Sequence, residues 1–118
     1  MYCRHKGQME KLKTLDELLD ITLEAEGLAS DGVEVDSLRS LFRDIRRIAQ
    51  RERANLRVHT RRDSVSPTRY QLCIIGILEE CNLGRSSVSL VGLKSRLIRM
   101  HEDIDRTIKE IKAARQIM

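Results

Sequence analysis

Apolar residues recur at three- and four-residue intervals over four stretches of this chain, the spacing of helices that bury one face. From 8 to 27, Leu12, Leu15, Leu18, Leu19, Thr22, Leu23 and Ala25 form a broad stripe. From 37 to 60, Leu38, Leu41, Phe42, Ile45, Ile48, Ala49 and Leu56 do the same. From 67 to 82, Tyr70, Ile74, Ile77 and Cys81 mark a face that Leu72, Cys73, Ile75 and Leu78 widen. That segment is apolar nearly all round, which predicts the most buried element. A strand over Leu72–Leu78 competes for this short, Ile-rich run, but Ser66-Pro67 before it and Glu79-Glu80 after it favour a helix. From 88 to 117 the apolar positions are Leu90, Leu93, Leu97, Met100, Ile104, Ile108, Ile111 and Ala114, with Met118 next in phase, a near-heptad repeat. The expected fold is all-α: a small four-helix bundle with a long C-terminal amphipathic helix.

Local signals set the ends. Thr14-Leu15-Asp16-Glu17 has the form of a capping box, so the first helix starts there, or near Gln8 with Thr14 internal. Gly27 is the expected left-handed residue after that helix, with Leu28 as its hydrophobic contact. Asp31-Gly32 signals a turn and Val33-Glu34-Val35 a short extended connector. Asp36 or Ser37 caps the second helix, Arg61–Ser66 is a loop, and Ser66-Pro67 starts the third helix. Gly76 suggests close approach of a neighbouring backbone, Asn82-Leu83-Gly84 closes the helix, and Ser86–Ser89 offers several caps for the fourth. Residues 1–7 read as a flexible start and 8–118 as a single helical domain.

Composition narrows this picture. With one Phe, two Tyr and no Trp, the core must come from Leu, Ile, Val and Met, which suits packed helices. No apolar run approaches the roughly 18 residues of a membrane span, and no charged segment leads into a signal-like apolar one. Cys3, Cys73 and Cys81 are an odd set that reads as free thiols in a reducing compartment, so a cytoplasmic location is expected.

Charge is polarised along the chain. Residues 8–34 carry eight acidic and two basic side chains, while 36–62 carries nine arginines against three acids. Arg43, Arg46, Arg47, Arg51, Arg53, Arg57, Arg61 and Arg62 are therefore candidate contacts for nucleic acid or an acidic partner, because a guanidinium fork pairs bidentately with phosphate or carboxylate. The bland alternative is internal: the arginines neutralise Asp16, Glu17, Asp20, Glu24 and Glu26 of the first helix. Without interleaved aromatics, a duplex backbone is a better target than stacked single strands.

A second candidate surface is the heptad seam of the last helix: Leu97, Met100, Ile104, Ile108, Ile111 and Met118. The last helix overhangs the short third one, so this seam is expected to meet a second copy in a homodimer. Residues 76–95 resemble a helix-turn-helix motif, with Gly84 as turn glycine, Val88 and Leu90 buried, and Arg85, Ser86, Ser87 and Ser89 exposed. Glu80, where the motif wants a small residue, and the long helix that follows both depart from it.

Signals for chemistry are thin. Cys3 with His5 makes only half a metal site, and no second ligand pair follows. Cys73 and Cys81 read as small buried hydrophobes. His101-Glu102-Asp103 reads as solvated charge, His59 lacks a nucleophile at local spacing, and no glycine-rich phosphate loop is present. No cofactor, metal or catalytic residue is expected. The expected function is a small non-enzymatic regulatory or adaptor protein acting through helix-mediated protein contacts. The alternative is a nucleic-acid-binding regulator that sets the arginine helix on the phosphate backbone.

Overall fold

The computed structural model describes residues 2–60, 68–84 and 89–117, with side chains described for 9–56, 68–84 and 89–114. It contains four helices: α1 (Tyr2–Ser30), α2 (Val35–Thr60), α3 (Arg69–Gly84) and α4 (Leu90–Ile117). Each packs on its sequence neighbour, and α1 closes the ring on α4. The short α1–α2 connection makes that pair antiparallel, and Arg69 reaching Glu110 while Arg96 reaches Glu80 does the same for α3 and α4. The result is an up-down-up-down bundle, 47 × 28 × 18 Å, with its long axis near the length of its longest helices. Among the described residues no helix is long and apolar enough to cross a membrane.

The core is the predicted aliphatic one. Leu15 and Leu18 from α1, Leu38 and Ile45 from α2, Ile74 and Ile77 from α3, and Leu93, Leu97, Met100 and Ile104 from α4 are essentially inaccessible. Thr22 and Thr107 lie among them. Each hydroxyl donates to a carbonyl one turn back, Leu18 and Asp103 respectively, at 2.7 Å, so neither polar group is left unpaired.

Several ends differ from the sequence reading. Gly27 does not end α1. Ala25 and Ala29 on either side of it are buried, and continued packing outweighs the roughly 1 kcal/mol that glycine costs inside a helix. The left-handed residue is Gly32, at φ 78°, and a Schellman pair closes the helix: Gly32 N–H to Ala29 O and Val33 N–H to Leu28 O, both 3.3 Å. Thr14 is internal, its hydroxyl donating to Glu10 O at 3.1 Å. Helix α2 begins at Val35, ahead of the expected caps, and Asp36 sits in its first turn beside Arg39. A capping box opens α3, but one built on Thr68 and Gln71: the Gln71 N–H donates to the Thr68 hydroxyl at 3.2 Å, and the Thr68 N–H donates to Gln71 Oε1 at 2.9 Å. Ser66-Pro67 lies outside the described residues. Of the candidate serines, Ser89 caps α4 by accepting from Gly92 N–H at 3.1 Å.

The α4 seam is corrected more substantially. Leu97, Met100, Ile104 and Ile108 are at most 6% exposed within this one chain, and Ile111 packs against the same core. Met118 lies outside the described residues. The reason is the length of α1: 29 residues, extended at both ends beyond the expected 8–27, it lies along α4 and covers the seam from within. Among the described residues helix α3 has the largest buried share of the four, as its nearly all-round apolar pattern predicts, with Tyr70, Cys73, Ile74, Ile77, Leu78, Cys81 and Gly84 all buried, but it also keeps apolar side chains in water. Leu72, Ile75 and Leu83 are 49%, 37% and 51% exposed, so its apolar surface exceeds what its neighbours cover. Gly76 faces the Asp103 carboxylate at ordinary contact distance, not a backbone. Close approach occurs at Gly84 instead, where a Cβ would lie 3.2 Å from a Phe42 ring carbon.

Leu97→Ala is expected to cost about 2–5 kcal/mol in urea unfolding, as a large-to-small change in a filled core. Ile108→Glu is expected to lower the stability of the chain itself by at least about 3 kcal/mol, because the carboxylate enters the monomer core. A variant that changed mass in solution but kept its unfolding midpoint would place Ile108 at an interface instead.

Candidate functional site: the arginine face of α2

Helix α2 presents its arginines on the side opposite the Leu38–Phe42–Ile45–Ala49 stripe and along both flanks of it. Arg39, Arg43, Arg47, Arg51 and Arg53 are exposed, and Arg46 is half-buried. Arg39, Arg43, Arg46 and Arg53 follow helical spacing on one flank and extend over about 21 Å of axis. The side chain of Arg57, and Arg61 and Arg62 altogether, lie outside the described residues.

The acids of α1 do not neutralise this face. Asp16, Glu17, Asp20 and Glu24 are exposed, and Glu26 turns to α4, where it meets His101 Nδ1 at 2.9 Å. Among the described residues the only α2 arginine in an ion pair is Arg39, with Asp36 of its own first turn at 3.2 Å. The remaining pairs tie other helices: Arg69 to Asp103 and Glu110, Arg96 to Glu80, Lys109 to Asp105. Glu110 thus pairs across to α3, while Asp105 pairs with Lys109 one turn on at 3.1 Å.

Two grooves flank α2. On the α1 side, Arg51 shares a hollow of about 460 Å³ with Lys11, Lys13, Glu10, Glu17 and Glu52, a surface of mixed sign. On the α3 side, a hollow of about 340 Å³ is lined by Arg39, Phe42, Arg43 and Arg46 from α2 and by Cys81 and Gly84 from α3. Arg46 Nε is buried with no hydrogen-bond partner. Sequence reading found the arginines but missed the groove. Its signal was the phase of Phe42 and Gly84, a large ring opposite a residue without a side chain, and no single-helix pattern reveals which helices will face each other.

The other candidates resolve simply. Cys73 and Cys81 are buried thiols. Burial pushes both up to about 12, opposed at Cys81 by the nearby Arg46 charge. Tyr70 is 2% exposed, with Lys11 Nζ 5.4 Å from its ring centroid. Burial first, and the adjacent Glu52 carboxylate second, push its phenol upward. Glu102 is exposed, as expected, but His101 and Asp103 are half-buried, His101 Nδ1 lying 2.9 Å from Glu26 and Asp103 paired with Arg69. No cluster of three potential metal ligands occurs among the described residues. In the stretch that resembles a helix-turn-helix, residues 85–88 lie outside the description. Ion pairs from Arg69 through Glu80 lay α3 alongside α4, whereas the motif crosses its helices at a steep angle.

At pH 8 iodoacetamide is expected to modify Cys73 and Cys81 roughly a thousandfold more slowly in the native chain than in urea, since about three pKa units separate their thiolate fractions. The same shift bears on stability. The native state holds these protons more tightly, so the contribution is intact below the ordinary thiol value of 9.0 and is lost as pH rises from there towards about 12. Peptide mapping of the alkylated chain separates these two sites from Cys3.

Compared with known proteins, the chain matches no family model, no curated protein and no solved structure.

Proposed function

We propose that this protein is a small non-enzymatic regulator that acts by contact, and that its contact surface is the arginine face of α2, set against the phosphate backbone of duplex nucleic acid. One observation carries this reading. Arg43, Arg47, Arg51 and Arg53 are exposed, and among the described residues no carboxylate lies within ion-pair distance of them. Guanidiniums that are not satisfied inside the fold retain their forks for phosphate oxygens, and each phosphate neutralised releases counterions. A rigid helix presents them at fixed spacing, so little ordering is needed on binding. The exposed acids of α1 repel a polyanion on that side, which directs the duplex to the α3 side of α2.

A protein adaptor is the second reading, favoured by the exposed apolar residues Leu72, Ile75 and Leu83 of α3. In that reading the partner, or a second copy of the chain, covers the outer face of α3 and not the α4 seam.

Fluorescence anisotropy with a random-sequence duplex at about 50 and about 200 mM salt tests the leading reading. Affinity is expected to fall steeply with salt. Arg47→Glu/Arg53→Glu is expected to weaken binding and to reduce the salt slope by about two phosphate contacts. Absence of binding at the lower salt would displace this reading in favour of the adaptor. In that event, light scattering on the unmodified chain separates a homodimer from a monomer of 13.6 kDa.

A further inference from the structure

We propose that the groove between α2 and α3 binds an organic phosphate: a phosphomonoester carried on a compact apolar or planar group. The site goes beyond duplex binding, since it lies in a concavity that a duplex backbone does not need.

The hollow, about 340 Å³, falls within the roughly 300–1,000 Å³ of small-ligand sites. Its charge is of one sign. Among the described residues Arg39, Arg43 and Arg46 line it, and no carboxylate does. The other two grooves differ: the α1–α2 hollow mixes Lys11, Lys13 and Arg51 with Glu10, Glu17 and Glu52, and the α3–α4 hollow sets Arg99 against Glu79, Glu80 and Asp103. Arg39 is shared with Asp36, whereas neither Arg43 nor Arg46 has a carboxylate partner among the described residues. Arg46 is half-buried, and its Nε is withdrawn from water without a hydrogen-bond partner. Arg46 is one of the residues lining the hollow, so an anion seated there meets its charge without competition from a carboxylate partner among the described residues. Three guanidiniums exceed what one carboxylate accepts. A phosphomonoester, with three terminal oxygens and close to two negative charges, matches them better.

The apolar half of the ligand follows from the rest of the lining. Phe42, Cys81 and Gly84 form a floor without charge, and Phe42 lies so close to Gly84 that a Cβ there would crowd its ring. Inorganic phosphate would leave this floor uncovered, whereas an attached ring or short apolar group would cover it. The phosphomonoester could come from a free small molecule or from the 5′ end of a nucleic-acid strand, and the chemistry at the site is the same.

Phe42 is the single phenylalanine of the chain, so ring-labelled phenylalanine gives one NMR reporter inside the groove. Titration with phenyl phosphate is expected to move its signals saturably, at least about tenfold more tightly than inorganic phosphate, while phenol leaves them unmoved. Arg43→Gln, at an exposed position that does not threaten the fold, and Arg46→Met, which keeps the apolar stem, are each expected to weaken phenyl phosphate roughly tenfold. Thermal unfolding confirms that both variants fold. A short single strand with and without a 5′-phosphate separates the sources: a shift with the phosphorylated strand assigns the site to a strand end, and a shift with phenyl phosphate alone to a free organic phosphate. Arg47→Glu/Arg53→Glu lies outside the groove and is expected to lose duplex binding while retaining phenyl phosphate, so the two readings fail independently. The site is overturned if Phe42 fails to move, if phenol acts as phenyl phosphate does, or if both groove variants bind as the parent chain does.

Discussion

The packing of α1 along α4 is the constraint on which the rest of this bundle depends. Leu15, Leu18, Ala25 and Ala29 on one helix and Leu97, Met100, Ile104 and Ile108 on the other are buried in one continuous core. Each helix alone would leave a long apolar stripe in water, and neither α2 nor α3 covers both. Once this pair is set, the ring order α1–α2–α3–α4 leaves α2 with only its Leu38–Ala49 stripe to bury. Its remaining surface must face outward, and that surface is arginine. The polarity of the molecule is therefore a result of which two helices share the long seam.

Ion pairs reinforce this arrangement unevenly. They join α3 to α4 at Arg69 and Arg96, and His101 of α4 meets Glu26 of α1, but among the described residues none joins α1 to α2. The most acidic helix and the most basic one are neighbours, yet their opposite charges are left facing water. Exposed pairs contribute little to stability, typically about 0–1 kcal/mol, so leaving them unmade costs the fold almost nothing. It keeps the guanidiniums unsatisfied within the fold, which bears on both proposed contacts.

The helices and the core were legible in the sequence because a 3.6-residue period with aliphatic residues survives any choice of neighbours. The ends were less so. Gly27 and Gly32 are both plausible stops, and the choice between them lies with the burial of Ala25 and Ala29, a tertiary fact. The α4 seam misled for the same reason: a heptad repeat records that something covers it, not whether the cover belongs to the same chain. Leu72 and Ile75 show the reverse, apolar residues in helical phase left partly in water. The arginines of α2 were visible as a composition, but the groove was not, because it needs Phe42 and Gly84 from different helices at one level.

The seam between α1 and α4 also sets an order on synthesis. Helix α1 is complete at Ser30, but the buried seam of its main partner is not finished until Ile108 has been added, 78 residues later by position. At ribosomal rates of about 5–20 residues per second, that interval is roughly 4–16 s. Within it α2 is the first helix available to α1 and α4 the last. The α1–α2 hairpin, closed by the tight Gly32 turn, therefore has half of its apolar surface without a native partner until α4 is made.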